Sequence, residues 1–161
     1  MKLIRAGKDR FTFRLGRQEK ALVFELLKLY PLIPPTYSRF GQTAQGKPDE
    51  TQRLLEETLA AQRAENRKAV HAMLNAPARF RQTEHGFQFT LTAAELEWLL
   101  QVFNDIRVGS WIALGSPEED EEPEPDETNA GYILAQEVCG HIETVLLAAT
   151  GEPESYPAGE A

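Results

Sequence analysis

The segment spanning residues 87–115 contains both tryptophans and the densest run of large apolar residues in the chain. Every second residue from Phe87 to Leu91 is large and apolar, which predicts a half-buried strand. Thr92 is followed three residues later by Glu95, a spacing typical of a capping box at a helix N-terminus. We therefore expect a strand that passes directly into a helix at Thr92.

Beyond this cap, large apolar residues recur at helical spacing on two neighbouring stripes, and only Glu97, Gln101 and Asn104 mark a solvent-facing edge. A helix that is apolar around most of its circumference is normally buried between other elements. The helix is not predicted to span a membrane, because Asn104, Asp105 and Arg107 interrupt the apolar run. We predict that it forms the centre of the core. The stripes are Leu96, Leu99, Leu100, Phe103, Ile106 and Leu114, and Trp98, Val102, Gly109 and Ile112.

Asp105 and Arg107 lie among these apolar residues but point about 200° apart around the helix, so they cannot pair with each other. An unpaired buried charge costs roughly several kcal/mol, so each needs a partner from another element. One interpretation is structural pairing or an oligomer contact. The other is a small polar binding site between the core helix and the last helix, formed by Asn104, Asp105, Arg107 and His141.

Composition limits the class of protein. The chain has 161 residues, of which 42% are hydrophobic and 26% are charged, as in a soluble globular protein with one domain. The first residues lack the apolar stretch of a signal peptide, and no apolar run is long enough to cross a bilayer. The single cysteine, Cys139, excludes an intrachain disulfide. We expect a cytoplasmic protein without membrane contact.

The net charge of −8 comes from one short segment. Eight of the 25 acidic residues lie between positions 118 and 127, which leaves 17 acids against 17 bases in the remainder. This predicts an acidic loop over residues 116–128 that is available to a basic surface of a protein partner. The candidate interaction residues are Glu118, Glu119, Asp120, Glu121 and Glu122.

The N-terminus has the opposite charge, with seven cations and two acids in the first 20 residues. A basic hairpin can contact nucleic-acid phosphates. However, the chain has no helix-turn-helix, RNP or zinc-finger pattern, and the acidic loop would compete for the same surface. We therefore do not expect nucleic-acid binding. The alternative is a solvated hairpin face that attracts the acidic segment of its own or a neighbouring chain.

The remaining elements follow from periodicity and from turn residues. We predict strands over residues 2–6 and 10–15, a helix over 17–30, a loop over 32–47, a helix over 49–74, strands over 79–82 and 87–91, the core helix, the acidic loop, a helix over 129–149 and a disordered tail over 151–161.

A shift of 76 positions reveals an internal repeat. Phe11, Phe13, Leu15 and Glu19 fall on Phe87, Phe89, Leu91 and Glu95. Each half, 1–76 and 77–150, then consists of a hairpin followed by two helices. We predict a single α+β domain over residues 1–150, in which two halves related by a pseudo-twofold axis contribute four main helices and a small antiparallel sheet.

We found none of the sequence motifs that hold phosphates, metals or an activated serine. The three histidines, His71, His85 and His141, are far apart in the sequence, and Cys139 lies among apolar residues. We therefore expect no metal, no cofactor and no catalytic residue. The leading hypothesis is a non-enzymatic interaction or regulatory protein that self-associates or binds a protein partner. The alternative is a ligand-binding domain or enzyme around Asp105 and Arg107.

The run WLLQVFNDIRVGSWIALG, followed by an acidic loop and a helix with a Y-x-L-x-x-E pattern, resembles one bacterial domain-of-unknown-function family, number twenty-seventeen of that series. The family has L-N-D-L-R-L-x-L-G-T-R-L-G at this place. The resemblance implies a soluble, helix-rich bacterial protein of actinobacterial type, often encoded beside the ClpS adaptor, and this neighbourhood points to proteolysis or regulation. Asn104, Asp105, Arg107, Leu114 and Gly115 match the family, whereas Ala113 stands where the family has a second arginine.

Overall fold

The computed structural model describes residues 1–34 and 50–151. Four helices and a four-stranded antiparallel sheet give the α+β class that the sequence predicts. Most of the predicted loop over residues 32–47, and residues 152–161 of the predicted tail, lie outside the described residues. The elements in chain order are β1 (Lys2–Ala6), β2 (Arg10–Leu15), α1 (Arg17–Leu27), α2 (Glu50–Leu74), one turn of 3-10 helix (Pro77–Arg79), β3 (Arg81–Thr83), β4 (Gly86–Thr92), α3 (Ala93–Ala113) and α4 (Ala130–Thr150).

The two hairpins join into one sheet with the strand order β1-β2-β4-β3. The central strands β2 and β4 are antiparallel, and Phe13 is paired with Phe89, its equivalent under the 76-residue shift. The rings of these two residues stack with centroids 5.5 Å apart on the inner face of the sheet. The sheet is therefore assembled from both predicted halves, while a twofold relation between the helices stays a prediction.

Helix α3 lies in the core, and eight of its residues are buried. The predicted capping box begins this helix: the Thr92 hydroxyl accepts the N–H of Glu95 at 3.2 Å, and the Thr92 N–H donates to the Glu95 carboxylate at 2.9 Å. Helix α4 packs along α3, and the apolar face of the sheet closes the core through Phe13, Leu15 and Leu91.

Two boundaries differ from the prediction by more than one residue. Arg79 lies in the 3-10 turn that Pro77 begins, not in β3, because its N–H donates to the carbonyl oxygen of Ala76 at 3.0 Å within that turn. Its guanidinium group binds both carboxylate oxygens of Glu95 at 2.7 Å. Helix α1 ends at Leu27, before Tyr30, since a residue that precedes a proline is disfavoured in the helical conformation.

Among the described residues, no helix has both the length and the apolar character that crossing a membrane requires.

Candidate functional site

Asp105 is buried, with 6% of its surface exposed, and its carboxylate is held from two sides. Oδ1 accepts the backbone N–H groups of Leu32 at 2.7 Å and Ile33 at 3.2 Å. Oδ2 lies 3.4 Å from Nε of Arg63 on α2. The buried charge therefore has partners from two other elements, and it ties the segment after α1 and the middle of α2 to the core helix.

Gly109 explains how the segment after α1 reaches Asp105. A Cβ atom built on Gly109, four residues beyond Asp105 on the same face of α3, would lie 2.8 Å from backbone and side-chain atoms of Leu32. A larger residue would push this segment away from the helix. The glycine thus permits the close approach that delivers two N–H groups to the carboxylate.

A cavity of about 270 Å³ lies beside this carboxylate, between the segment after α1, the helix α2 and the helix α3. Its polar wall is a hydrogen-bonded chain of amide groups. Asn66, which is 4% exposed, donates to Oε1 of Gln101 at 3.2 Å and accepts from Nε2 of Gln62 at 3.1 Å. Burial raises the pKa of the Tyr30 hydroxyl, and a hydrogen bond with the Asn66 side chain opposes that shift. Such a wall suits a small, neutral polar molecule.

Arg107 faces α4 and not this cavity. Its Nε lies 2.7 Å from Oε2 of Glu143, and its terminal nitrogen donates to Oδ1 of Asn104 at 2.9 Å. The contact with Glu143 is an ion pair that joins α3 to α4. Burial raises the pKa of Glu143, and the charge of Arg107 opposes that shift.

A second concavity, of about 680 Å³, lies between the segment over residues 116–128 and the helices α3 and α4. We call it the acidic groove. Its carboxylate wall is formed by Glu118, Glu119, Glu121 and Glu122. Trp111, Ile133 and Arg107 from the two helices lie among its other lining residues.

Specific hydrogen bonds hold the acidic segment at both ends. At its start, Nε1 of Trp111 donates to the carbonyl oxygen of Pro117 at 3.0 Å. At its end, Oδ1 of Asp126 accepts the N–H groups of Thr128 at 2.7 Å and Asn129 at 2.9 Å. A hydrogen bond from the Thr128 hydroxyl at 2.7 Å, together with these two N–H groups, lowers the pKa of the Asp126 carboxyl. The acidic segment is therefore an ordered wall of the groove.

The structure divides the residues singled out in the sequence between these two places. Asn104 and Asp105 line the small cavity, whereas Arg107 lines the acidic groove. His141 is exposed on α4 and lines neither. Asp120 is exposed on the acidic segment without lining the groove.

Three cavity residues from other elements were not predicted from the sequence, namely Tyr30, Arg63 and Asn66. A signal for Asn66 exists, because Gln62 and Asn66 interrupt the apolar line of α2 between Leu59 and Val70. Polar residues on the core-facing side of a helix need hydrogen-bond partners, and here Gln62 donates to Asn66.

Metal binding and thiol chemistry have no support in the described part of the chain. It contains no cluster of three or more histidine, cysteine, aspartate or glutamate side chains that would hold a metal ion. Burial raises the pKa of the Cys139 thiol to about 12, and the nearby Glu143 carboxylate adds to the shift. The thiol is therefore protonated at neutral pH, which is the unreactive form.

No curated protein and no solved structure matches the chain. Residues 28–150 match the family described as Domain of unknown function (DUF2017). This match covers well over half of the 161 residues. The chain therefore belongs to the DUF2017 family.

Proposed function

We propose that this protein is a non-enzymatic interaction protein whose acidic groove binds a basic segment of a partner protein. The observation that carries the proposal is the ordered acidic segment, which is held by hydrogen bonds as one wall of a groove whose other side includes Trp111 and Ile133. A solvated linker of the same composition would need neither the bonds nor the groove.

The charges of the groove favour a cationic ligand. Glu118, Glu119, Glu121 and Glu122 are exposed, and none of them is ion-paired within residues 1–34 and 50–151. The positive charge of Arg107 is balanced by Glu143. Binding a segment that carries lysine or arginine would relieve the repulsion among the four carboxylates and would speed the encounter with the partner.

The apolar residues of the groove favour an arginine side chain over a cation that has no apolar part. Trp111 and Ile133 are partly exposed, and Leu114 lies beside them. The aliphatic stem of an arginine packs on such a surface, and its guanidinium group is attracted to a tryptophan ring. We infer a partner segment with at least one arginine between other basic residues.

The family resemblance supports a bacterial, cytoplasmic setting for this interaction. Relatives of actinobacterial type encoded beside the ClpS adaptor would make the partner a component of proteolysis or of its regulation. The bacterial and cytoplasmic setting is part of the proposal, and so is the absence of enzymatic activity.

The experiment is a fluorescence-anisotropy titration of the full chain with a labelled arginine- and lysine-rich peptide and with an acidic peptide of the same length. The basic peptide should bind, and its affinity should fall with added salt. The variant Glu118→Gln/Glu119→Gln/Glu121→Gln/Glu122→Gln should lose at least tenfold in affinity.

The matched control for this titration changes two exposed acids on α2, Glu56→Gln/Glu57→Gln, and should bind as the wild type does. Equal binding by the groove variant and the wild type would disprove the role of the groove. Equal binding of the basic and the acidic peptide would disprove a charge-selected partner.

A second candidate function is the binding of a small polar molecule in the cavity beside Asp105. The observation that favours it is the set of hydrogen bonds that joins Gln62, Gln101 and Tyr30 to Asn66 in the lining of the cavity. The ion pair of Asp105 and Arg63 lines the same cavity. A thermal-shift screen of small neutral polar metabolites tests it. A ligand of the cavity should raise the melting temperature of the wild type but not that of Asn66→Leu. Each shift is measured from the melting temperature of the same protein without ligand, because the variant is expected to melt at a lower temperature.

A further inference from the structure

The outer face of the sheet, opposite the core, carries a row of four aligned residues, one from each strand, of which three are cations. The strand pairing aligns Lys2 of β1 with Arg14 of β2, Arg14 with Gln88 of β4, and Gln88 with Arg81 of β3. Side chains of directly paired residues lie on the same face, and adjacent strands are ~4.8 Å apart. Three of the four positions in this row are therefore positive and close together.

The neighbouring rows extend the same charge. Arg5 is paired with Thr12, which is paired with Thr90, and Arg10 is paired with Thr92. The four strands contain no aspartate or glutamate. We call the five cations of these rows the basic sheet face: Lys2, Arg5, Arg10, Arg14 and Arg81. Within the part of the chain that the structure describes, none of the five forms an ion pair.

This arrangement lowers the stability of the isolated fold. Like charges directly opposite each other on adjacent strands, as Lys2 and Arg14 are, repel one another. The fold needs no charge at these exposed positions, since threonine or glutamine would suit an open sheet surface equally well. A local arrangement that costs stability without compensation inside the chain indicates an external ligand, here an anionic one.

The face is also shaped to receive side chains. A depression of about 600 Å³ in its surface is lined by Arg5, Arg81 and the hydrogen-bonding groups of Thr12, Gln88 and Thr90. Arg79 forms part of the lining too, and its bonds to Glu95 and to the carbonyl oxygen of Thr90 fix its position. Two unpaired guanidinium groups beside neutral donors match the needs of carboxylate groups.

The chain itself carries the complementary surface at its other end. Helix α3 begins directly after β4 and ends just before the acidic segment. A helix of 21 residues is ~31 Å long, so the acidic segment follows the sheet at the far end of a helix of this length. Both ends of the segment are held by hydrogen bonds. Among the described residues of one copy, no carboxylate of the acidic segment pairs with a cation of the basic sheet face, so both surfaces are available to a second copy.

We propose that the basic sheet face binds the acidic segment of a second copy of this chain, in a head-to-tail contact. The inference rests on the proposed function, since it names one basic surface that the acidic segment recognises. Eight carboxylates lie between positions 118 and 127, opposite five cations on the face. The outward positions of the rows carry no aromatic side chain on which bases would stack, which favours an acidic protein segment over single-stranded nucleic acid. Because the two surfaces differ, the contact is heterologous and can extend to larger assemblies.

The test is sedimentation velocity of the full chain over a range of concentrations, at about 20 mM and about 500 mM salt. The mean mass should rise with protein concentration at low salt and return to that of a monomer at high salt. Arg14→Glu/Arg81→Glu and Glu121→Lys/Glu122→Lys should each stay monomeric at low salt. An equimolar mixture of these two variants should associate again, because the unchanged acidic segment of the first meets the unchanged face of the second. The reversed segment of the second also meets the reversed face of the first.

The matched control is Arg53→Glu/Arg67→Glu on exposed positions of α2, which changes the net charge equally and should self-associate as the wild type does. Circular dichroism melting establishes that each variant is folded. A wild type that is monomeric at every concentration, or a mixture of the two reversed variants that does not associate, overturns the proposal.

Two further titrations separate this inference from the proposed function. If the basic peptide binds the wild type and Arg14→Glu/Arg81→Glu alike while no self-association occurs, the second copy is not a partner but the groove is still a binding site. If neither the peptide binds nor the copies associate, both proposals fail. Binding of a labelled oligonucleotide that is lost in Arg14→Glu/Arg81→Glu, by a wild type that stays monomeric, assigns the face to nucleic acid and overturns the second copy as its ligand.

Discussion

The carboxylate of Asp105 accepts the backbone N–H of Leu32 at 2.7 Å, across 73 residues of sequence. This bond, with a second from Ile33 and the ion pair to Arg63, makes one buried side chain the meeting point of three chain segments. Asp105 has this structural role whether or not the adjoining cavity holds a ligand. The consequences for stability can be measured.

Replacing Asp105 with alanine should destabilise the fold by about 2–4 kcal/mol, because two partly buried N–H groups and Arg63 lose their acceptor. Asp105→Asn should cost less, since its amide oxygen can still accept from Leu32. Urea denaturation followed by tryptophan fluorescence measures both values. Equal stability of the alanine variant and the wild type would contradict the tethering role.

Gly109→Ala should destabilise the protein by about 1–3 kcal/mol, because the added methyl group meets Leu32 at 2.8 Å in a packed interior. The matched control is Gly131→Ala in α4, where a Cβ has no neighbour within 4 Å. That substitution should stabilise the helix by about 0.5–1 kcal/mol. Thermal melting of the two variants should therefore shift in opposite directions.

The pair between Arg79 and Glu95 should make stability depend on pH. The hydrogen bonds from Arg79 lower the pKa of the Glu95 carboxyl below its ordinary value of 4.5, against the opposing effect of burial. A lowered folded-state pKa contributes stability that is present above pH 4.5 and is lost as the pH falls through the folded-state value. Arg79→Met should remove ~1 kcal/mol at neutral pH.

The contribution of the pair is seen by comparing the two proteins across the acid range. The difference in the free energy of unfolding between the wild type and Arg79→Met should shrink below pH 4.5. A difference that is constant from pH 7 to pH 3 would show that Arg79 acts through packing and not through the Glu95 charge.

The thiol of Cys139 should be inert in the folded protein. It is fully buried, and its pKa is raised to about 12, so almost no thiolate is present at neutral pH. Iodoacetamide should label it rapidly only after unfolding in urea. Rapid labelling of the native protein would mean that α4 opens from α3 at low cost.

Several features of this fold are encoded by residues that are close together in the sequence. The alternation from Phe87 to Leu91 and the cap from Thr92 to Glu95 place β4 and α3 to within a residue or two, because both signals act over a single turn or strand. The first hairpin is likewise found at its predicted bounds. The sequence also predicts that Asp105 needs a partner, since a charge within an apolar stripe requires one in any fold that buries it.

The partners of the charged residues in the candidate sites depend on contacts between residues that are far apart in the sequence. The sequence shows that Asp105 needs a partner, but only packing determines that this partner is Arg63 of α2 together with the chain after α1. For the same reason Arg107, two residues further on, faces Glu143 and the groove, because side chains about 200° apart on a helix meet different neighbours.

The basic row of the sheet shows most clearly which features depend on the sequence alone and which depend on the tertiary structure. The sequence by itself determined that the N-terminal hairpin is basic and that residues 118–127 are acidic, since composition requires no fold. Only the tertiary structure decided that Lys2, Arg14 and Arg81 align on one face, because strand register is set by pairing across the sheet and a shift of one residue would move each side chain to the other face. It also decided that no cation of this face pairs with the acidic segment within the described residues, because contacts between distant segments depend on packing.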